Sequence, residues 1–237
     1  MTRRPVDSPP QANSGSGSNA ANRLAGFGAA ALLTVTLVIA PAAAPSLGAI
    51  PVALAACPGA EVVFARGRDE PPGVGFVGDA FVNSLRSKVQ MPVGAYGVNY
   101  PADIDPAKGA NDMSARVQSM AKSCPNTREV LGGYSLGAVA ADLVIAVTNP
   151  GFGFSNPLPP GVDQHVAAVA LFGNGTRRIL GPVPDFSPAF AGKTIEECAG
   201  GDPICSSGNV QWSSHLQPAY INSGLVDQAA GFAAGRL

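Results

Sequence analysis

Apolar positions in this chain fall into short continuous runs separated by stretches with helical spacing. Ala60–Ala65 reads AEVVFA and ends at Arg66-Gly67, which predicts a buried first strand. Over residues 76–89 the apolar side chains Phe76, Ala80, Phe81, Leu85 and Val89 recur at helical spacing, which predicts a helix with one buried face. A second strand is predicted over 93–100, stopped by Pro101. Met113, Val117 and Met120 mark a second amphipathic helix that ends near Cys124-Pro125. Residues 129–134 predict a third strand and 138–147 an apolar helix stopped by Asn149-Pro150. Val166–Phe172 predicts a fourth strand, 193–197 a weak fifth, and 220–234 one closing helix. Strands alternating with helices imply a parallel sheet covered on both faces, because parallel strands need crossover connections.

Composition agrees with such a core. Of the 237 residues 46% are apolar and only 13% charged, which suits strands buried on both sides and leaves length for one sizeable domain. The formal net charge of −1, with no Lys/Arg run in the body of the chain, removes the electrostatic basis for nucleic-acid binding.

The first 56 residues read differently. Residues 1–22 are rich in Ser, Asn, Gly and Pro and predict disorder. Arg23 then precedes an apolar run over 24–40, followed by small residues, the order of a secretory signal peptide. Ala53-Leu54-Ala55 and Leu54-Ala55-Ala56 are candidate cleavage sites. A retained membrane anchor is the alternative, and Leu54-Ala55-Ala56-Cys57 also has the form of a lipoprotein processing box. The expected organisation is a disordered start plus signal peptide over 1–56 and a catalytic domain over 57–237, secreted or held at the cell wall.

Four cysteines in an exported chain predict two disulfides. Three pairings are possible. Cys198 and Cys205 bracket a Gly-Gly-Asp-Pro turn, so a local bridge is the simplest, leaving Cys57 for Cys124. Zinc is disfavoured, since no C-x-x-C occurs and only two histidines exist.

Gly133-Tyr134-Ser135-Leu136-Gly137 is a G-x-S-x-G element between a predicted strand and a predicted helix, the setting of a nucleophile elbow. Such a turn lifts the Ser135 hydroxyl above the sheet edge and aims the Leu136 amide at the same point, where an oxyanion would form. Sites in open α/β sheets lie at the carboxyl edge of the strands. His165 precedes a strand, at the wrong edge. His215 lies in a loop before the last helix and is the expected general base. Among the acids between Ser135 and His215, Asp142 is in a helix and Asp163 shares the edge of His165. Glu196 and Glu197 alternate across a strand. Asp202 follows the last strand and is the expected orienting acid, with Asp185 as second choice.

With these motifs the chain resembles the cutinase family, and most closely its mycobacterial cutinase-like members. The likeness rests on Val63-Phe64-Ala65-Arg66-Gly67 with Glu70-Pro71, on Gly133 to Gly137, on Cys198 through Gly201-Asp202 to Cys205, and on His215-Leu216. The resemblance implies a lidless single-domain α/β hydrolase, a Ser135–His215–Asp202 triad, the same two disulfides, and acyl ester or lipid substrates with no metal or cofactor. It departs at two points. Leu136 stands where the family usually has Gln, but the donor there is a backbone amide. Arg68 stands where the family usually has Ser or Thr, so its amide remains as the second oxyanion donor and the hydroxyl donor is lost.

The expected activity is hydrolysis of short- to medium-chain acyl esters by a monomer that touches lipid or cell envelope peripherally. Phospholipase A or thioesterase action on envelope lipids, acyl transfer, and a catalytically weak lipid-binding protein are the alternatives. Two aromatic and Pro-rich segments, 151–154 and 182–190, are either walls of an acyl site or packed loop anchors.

Overall fold

Val, Ala and Leu runs pair edge to edge as parallel strands, which lets their buried amides and carbonyls bond across the sheet. The computed structural model describes residues 57–237. The expected signal peptide and its cleavage positions lie outside the described residues. In chain order the elements are β1 Ala60–Ala65, α1 Gly75–Lys88, β2 Val93–Gly97, α2 Pro106–Ser123, β3 Arg128–Tyr134, α3 Leu136–Ala146 and β4 Val166–Phe172. There follow α4 Arg177–Leu180, α5 Val183–Phe186, β5 Thr194–Glu197, α6 Gln217–Ile221 and α7 Leu225–Ala234.

All pairings are parallel and the strand order is β2-β1-β3-β4-β5. The order reverses between β1 and β3, which leaves a crevice at the carboxyl ends of those two strands. Alternation along each strand divides the core in two. Val63, Ala65, Leu131 and Val169 meet Met113, Val117 and Val144 of α2 and α3 on one face. Val62, Phe64, Val130 and Phe172 meet Phe81, Leu85 and Ala229 of α1 and α7 on the other. There the rings of Phe64, Phe81 and Phe172 stand 5.9–6.2 Å apart.

Most element limits lie within one or two residues of the sequence reading, and three differences have a local cause. The second strand stops at Gly97 rather than residue 100, because the Asn99 amide turns to the Asp112 carboxylate at 2.8 Å instead of a neighbouring strand. The fifth begins at Thr194, Lys193 being in a 3-10 turn. The closing helix is two helices, broken where Gly224 adopts φ +88°. Asn222-Ser223-Gly224 favours local turn hydrogen bonds and a left-handed residue over helix continuation.

Disulfides join Cys57 to Cys124 and Cys198 to Cys205. Cys57 thus has no free thiol for lipid attachment. The first bridge ties the entry to β1 to the end of α2, and the second closes the loop that carries Asp202.

Candidate active site

The turn from β3 into α3 has room for one conformation. Ser135 sits at φ 53°, ψ −117°, outside the regions open to ordinary L-residues. Its amide donates to the Phe172 carbonyl on β4 at 2.9 Å, which fixes the turn against the neighbouring strand. A Cβ on Gly137 would lie 1.9 Å from the Ala65 carbonyl oxygen, and one on Gly133 would lie 2.2 Å from the Gly137 carbonyl oxygen. Both glycines are therefore steric requirements of the elbow.

His215 ends a 3-10 turn, Trp212–His215, that brings its ring back over the sheet edge. Ser135 Oγ is 2.8 Å from His215 Nε2, and His215 Nδ1 is 2.7 Å from Asp202 Oδ2. With a carboxylate as acceptor at Nδ1, the neutral ring carries its proton there and turns its lone pair to the serine. Asp202 is fully buried. Its Oδ1 accepts from the Ile204 amide at 2.7 Å, and its Oδ2 also accepts from the Tyr220 hydroxyl. His215 stacks on Tyr134 with centroids 5.5 Å apart, and the Tyr134 hydroxyl donates to the His215 carbonyl. The Trp212 ring lies 5.2 Å away.

Ser135 and His215 open on a cleft of about 390 Å³. Leu136, Val139, Ile204, Trp212 and Leu216 give it apolar walls. Arg68 and Asp69, from the loop after β1, line the opposite side of the strand-order reversal. Buried Arg66 and Glu70 hold that loop. Arg66 donates to the Glu70 carbonyl at 2.8 Å and the Tyr100 carbonyl at 2.7 Å, and Glu70 accepts from the Gly67 amide at 2.7 Å. Among the described residues the amides of Arg68 and Leu136 donate to no acceptor, and the Arg68 guanidinium has no ion-pair partner. Amides without an acceptor, one on the loop after β1 and one at the start of α3, are the kind of donor that stabilises a developing oxyanion.

The other candidates lie elsewhere. His165 and Asp163 occupy the 3-10 turn before β4, at the amino edge of the sheet. Asp185 is in α5 and does not line the cleft at Ser135. Asp142 is buried in α3, where its Oδ2 accepts from Asn174 Nδ2 at 2.7 Å and from the Thr176 hydroxyl. Burial pushes its carboxyl up to about 6. This pair of bonds fixes the loop on which Gly175 forms part of the cleft.

The aromatic segments are packed anchors. Phe154 and Phe190 are buried, and Phe186 and Phe190 line a separate cleft of about 280 Å³ at the end of α3, which shares no residue with the first. Phe152, 91% exposed, is the exception. Sequence reasoning missed Tyr134, Tyr220 and the Asn174–Thr176 loop. The one signal was the place of Tyr134 beside the nucleophile.

Among the described residues no three His, Cys, Asp or Glu side chains converge as metal ligands.

Residues 56–237 match the protein family described as Cutinase. Probable carboxylesterase Culp2 of Mycobacterium tuberculosis is 57% identical over 216 residues, which cover 88% of this chain and 94% of the relative. Phospholipase Culp4 of the same organism is 51% identical over 232 residues, covering 96% and 98%. Among solved structures, a Trichoderma reesei cutinase in complex with a phosphonate inhibitor is 33% identical, with a TM-score of 0.59 over 76% of each chain.

Proposed function

The chain belongs to the cutinase family and is a carboxylic ester hydrolase, and we propose that Ser135, His215 and Asp202 are its nucleophile, general base and orienting acid. Ser135 Oγ attacks the ester carbonyl carbon as its proton passes to His215 Nε2. The amides of Leu136 and Arg68 hold the oxyanion. Collapse of the tetrahedral adduct expels the alkoxide, which takes the proton back from the His215 imidazolium. Water, deprotonated in turn by His215, attacks the acyl-enzyme, releases the carboxylic acid and restores the serine. Asp202 keeps the Nδ1 proton in place throughout and stabilises the imidazolium. Every group is supplied by the chain, so the sequence of steps needs no cofactor.

One observation carries the assignment: the two contacts of 2.8 and 2.7 Å that run from Ser135 through His215 to a buried Asp202, on a serine held in a strained turn. The apolar cleft walls support short- to medium-chain acyl groups. Two disulfides support export to an oxidising compartment. The unpaired Arg68 guanidinium at the cleft favours a second reading, phospholipase A action, with the lipid phosphate as its partner. The relative named Phospholipase Culp4, 51% identical to this chain, is in keeping with a phospholipid substrate.

The test is hydrolysis of p-nitrophenyl esters from acetate to palmitate by the oxidised domain, with Ser135→Ala alongside. Turnover lost in Ser135→Ala and falling at long chain lengths is expected. Turnover retained in Ser135→Ala would overturn the triad.

A further inference from the structure

Tyr220 is fully buried in α6, five residues beyond His215. Its hydroxyl donates to Asp202 Oδ2, the same oxygen that accepts His215 Nδ1. Its ring meets Tyr134 edge-on at 5.6 Å and Phe172 at 6.3 Å, so the side chain has no room to turn away. Cys205 Sγ lies 3.5 Å from the hydroxyl and closes its remaining side. Burial, and then the bond to Asp202, raise the phenol pKa well above its usual value, so the hydroxyl remains a donor throughout the working range.

We propose that Tyr220 is a positioning residue that sets the basicity of His215 through Asp202. The proposal rests on the triad assigned above. A carboxylate oxygen shared between two donors binds each less strongly than it would bind one. The Tyr220 hydroxyl therefore draws on the same oxygen and tempers the pull of Asp202 on the His215 imidazolium. It also fixes which oxygen faces Nδ1, since Oδ1 is held by the Ile204 amide. Without the hydroxyl, Asp202 presents its charge to His215 alone, and His215 becomes the stronger base.

Other groups also face His215, and none of them bonds Asp202 Oδ2. Ser135 faces Nε2, Tyr134 lies under the ring, and Trp212 is beside it. Arg68 and Asp69 line the cleft from the loop after β1, and Glu70 behind them is bound to the Gly67 and Phe76 amides.

The experiment is the pH dependence of kcat/KM on p-nitrophenyl butyrate for the wild type, Tyr220→Phe and Tyr134→Phe. Tyr134→Phe removes a hydroxyl bound to the His215 carbonyl rather than to Asp202. In Tyr220→Phe the acidic limb moves up by about half to one pH unit and kcat falls by about three- to tenfold, while in Tyr134→Phe the limb stays in place. Tyr220→3-fluorotyrosine, a stronger donor of nearly the same size, moves the limb the other way and keeps the test open should Tyr220→Phe not fold. Limbs that coincide in both Tyr220 variants, with turnover still dependent on Ser135, would overturn the role of Tyr220 and leave the triad standing. Turnover independent of Ser135 would instead remove the triad on which it rests.

Discussion

Glu61 and Glu129 stand side by side in register on β1 and β3, and Arg116 bonds only Glu61, through two contacts of 2.7 and 2.5 Å. Glu129 is fully buried and, among the described residues, neither of its oxygens has a donor. Burial, followed by repulsion from Glu61, pushes its carboxyl up to about 8. This pair sits at the amino edge of the sheet, away from Ser135, so it bears on stability rather than on chemistry.

Between pH 4.5 and 8 the unfolded chain releases the Glu129 proton while the folded chain keeps it. Stability from this group is thus complete below about pH 4.5 and is lost as the pH rises to 8, by an amount on the order of 4 kcal/mol. Glu129→Gln removes that slope. Urea denaturation of wild type and variant at pH 5 and pH 8 checks it: the wild type should lose several kcal/mol more than Glu129→Gln over the interval. Equal losses would show that Glu129 ionises as freely folded as unfolded.

Backbone strain at Ser135 predicts an asymmetry between two variants that lack the hydroxyl. Ser135→Ala keeps a Cβ at φ 53°, whereas Ser135→Gly relieves it. Relief is worth about 1–3 kcal/mol and the added freedom of an unfolded glycine costs about 0.5–1 kcal/mol. Ser135→Gly should therefore be about 1 kcal/mol more stable than Ser135→Ala, which thermal unfolding of the two proteins side by side will measure.

Each bridge should matter in a different assay. Cys57–Cys124 spans 67 residues and Cys198–Cys205 only 7, so loop-closure entropy assigns about 4 kcal/mol to the first and about 2–3 kcal/mol to the second. The short bridge, however, encloses Asp202. Replacing both of its cysteines with Ala should cost less stability and more kcat than the same change at the long bridge. Denaturation curves paired with kcat at low temperature, where both variants are folded, distinguish these effects.

Arg68→Thr places a hydroxyl beside the free amide at that position. A single oxyanion donor can be worth about a hundredfold in kcat, and a gain of tenfold or more on neutral p-nitrophenyl esters is expected. Steady-state kinetics on those esters checks it, and no gain on any of them would mean that the amides alone saturate the oxyanion.

Much of this architecture was legible because periodicity and chain order are local. Ala60–Ala65 and Val166–Phe172 are too short and too apolar to be surface helices, and their limits agree with the strands observed. The elbow was legible because Gly133 and Gly137 leave a sequence mark of a steric need. With two histidines in the chain, the edge rule separated His215 from His165. The path of loops across the sheet leaves no such mark. Phe186 and Phe190 have the composition of a substrate wall, yet the chain between α4 and β5 descends along α3 and carries them to its far end. The Asn222-Ser223-Gly224 break contains no proline, so the apolar spacing of 220–234 hid it. Tyr220 reads as one more apolar position of a closing helix, because only the three-dimensional path shows that its hydroxyl ends on Asp202.

The strand order has a consequence for how the protein fails. Ser135 grows from β3, the middle strand of five, while Asp202 and His215 come from loops beyond β5, a four-residue edge strand. Segments at an edge open at lower free energy than the centre of a sheet. Amide exchange should accordingly be fast around residues 198–216 and slow along β3, and warming should silence the protein while most of its sheet is still intact. Ser135 would then survive, still buttressed, in a molecule that has already lost its contacts with His215 and Asp202.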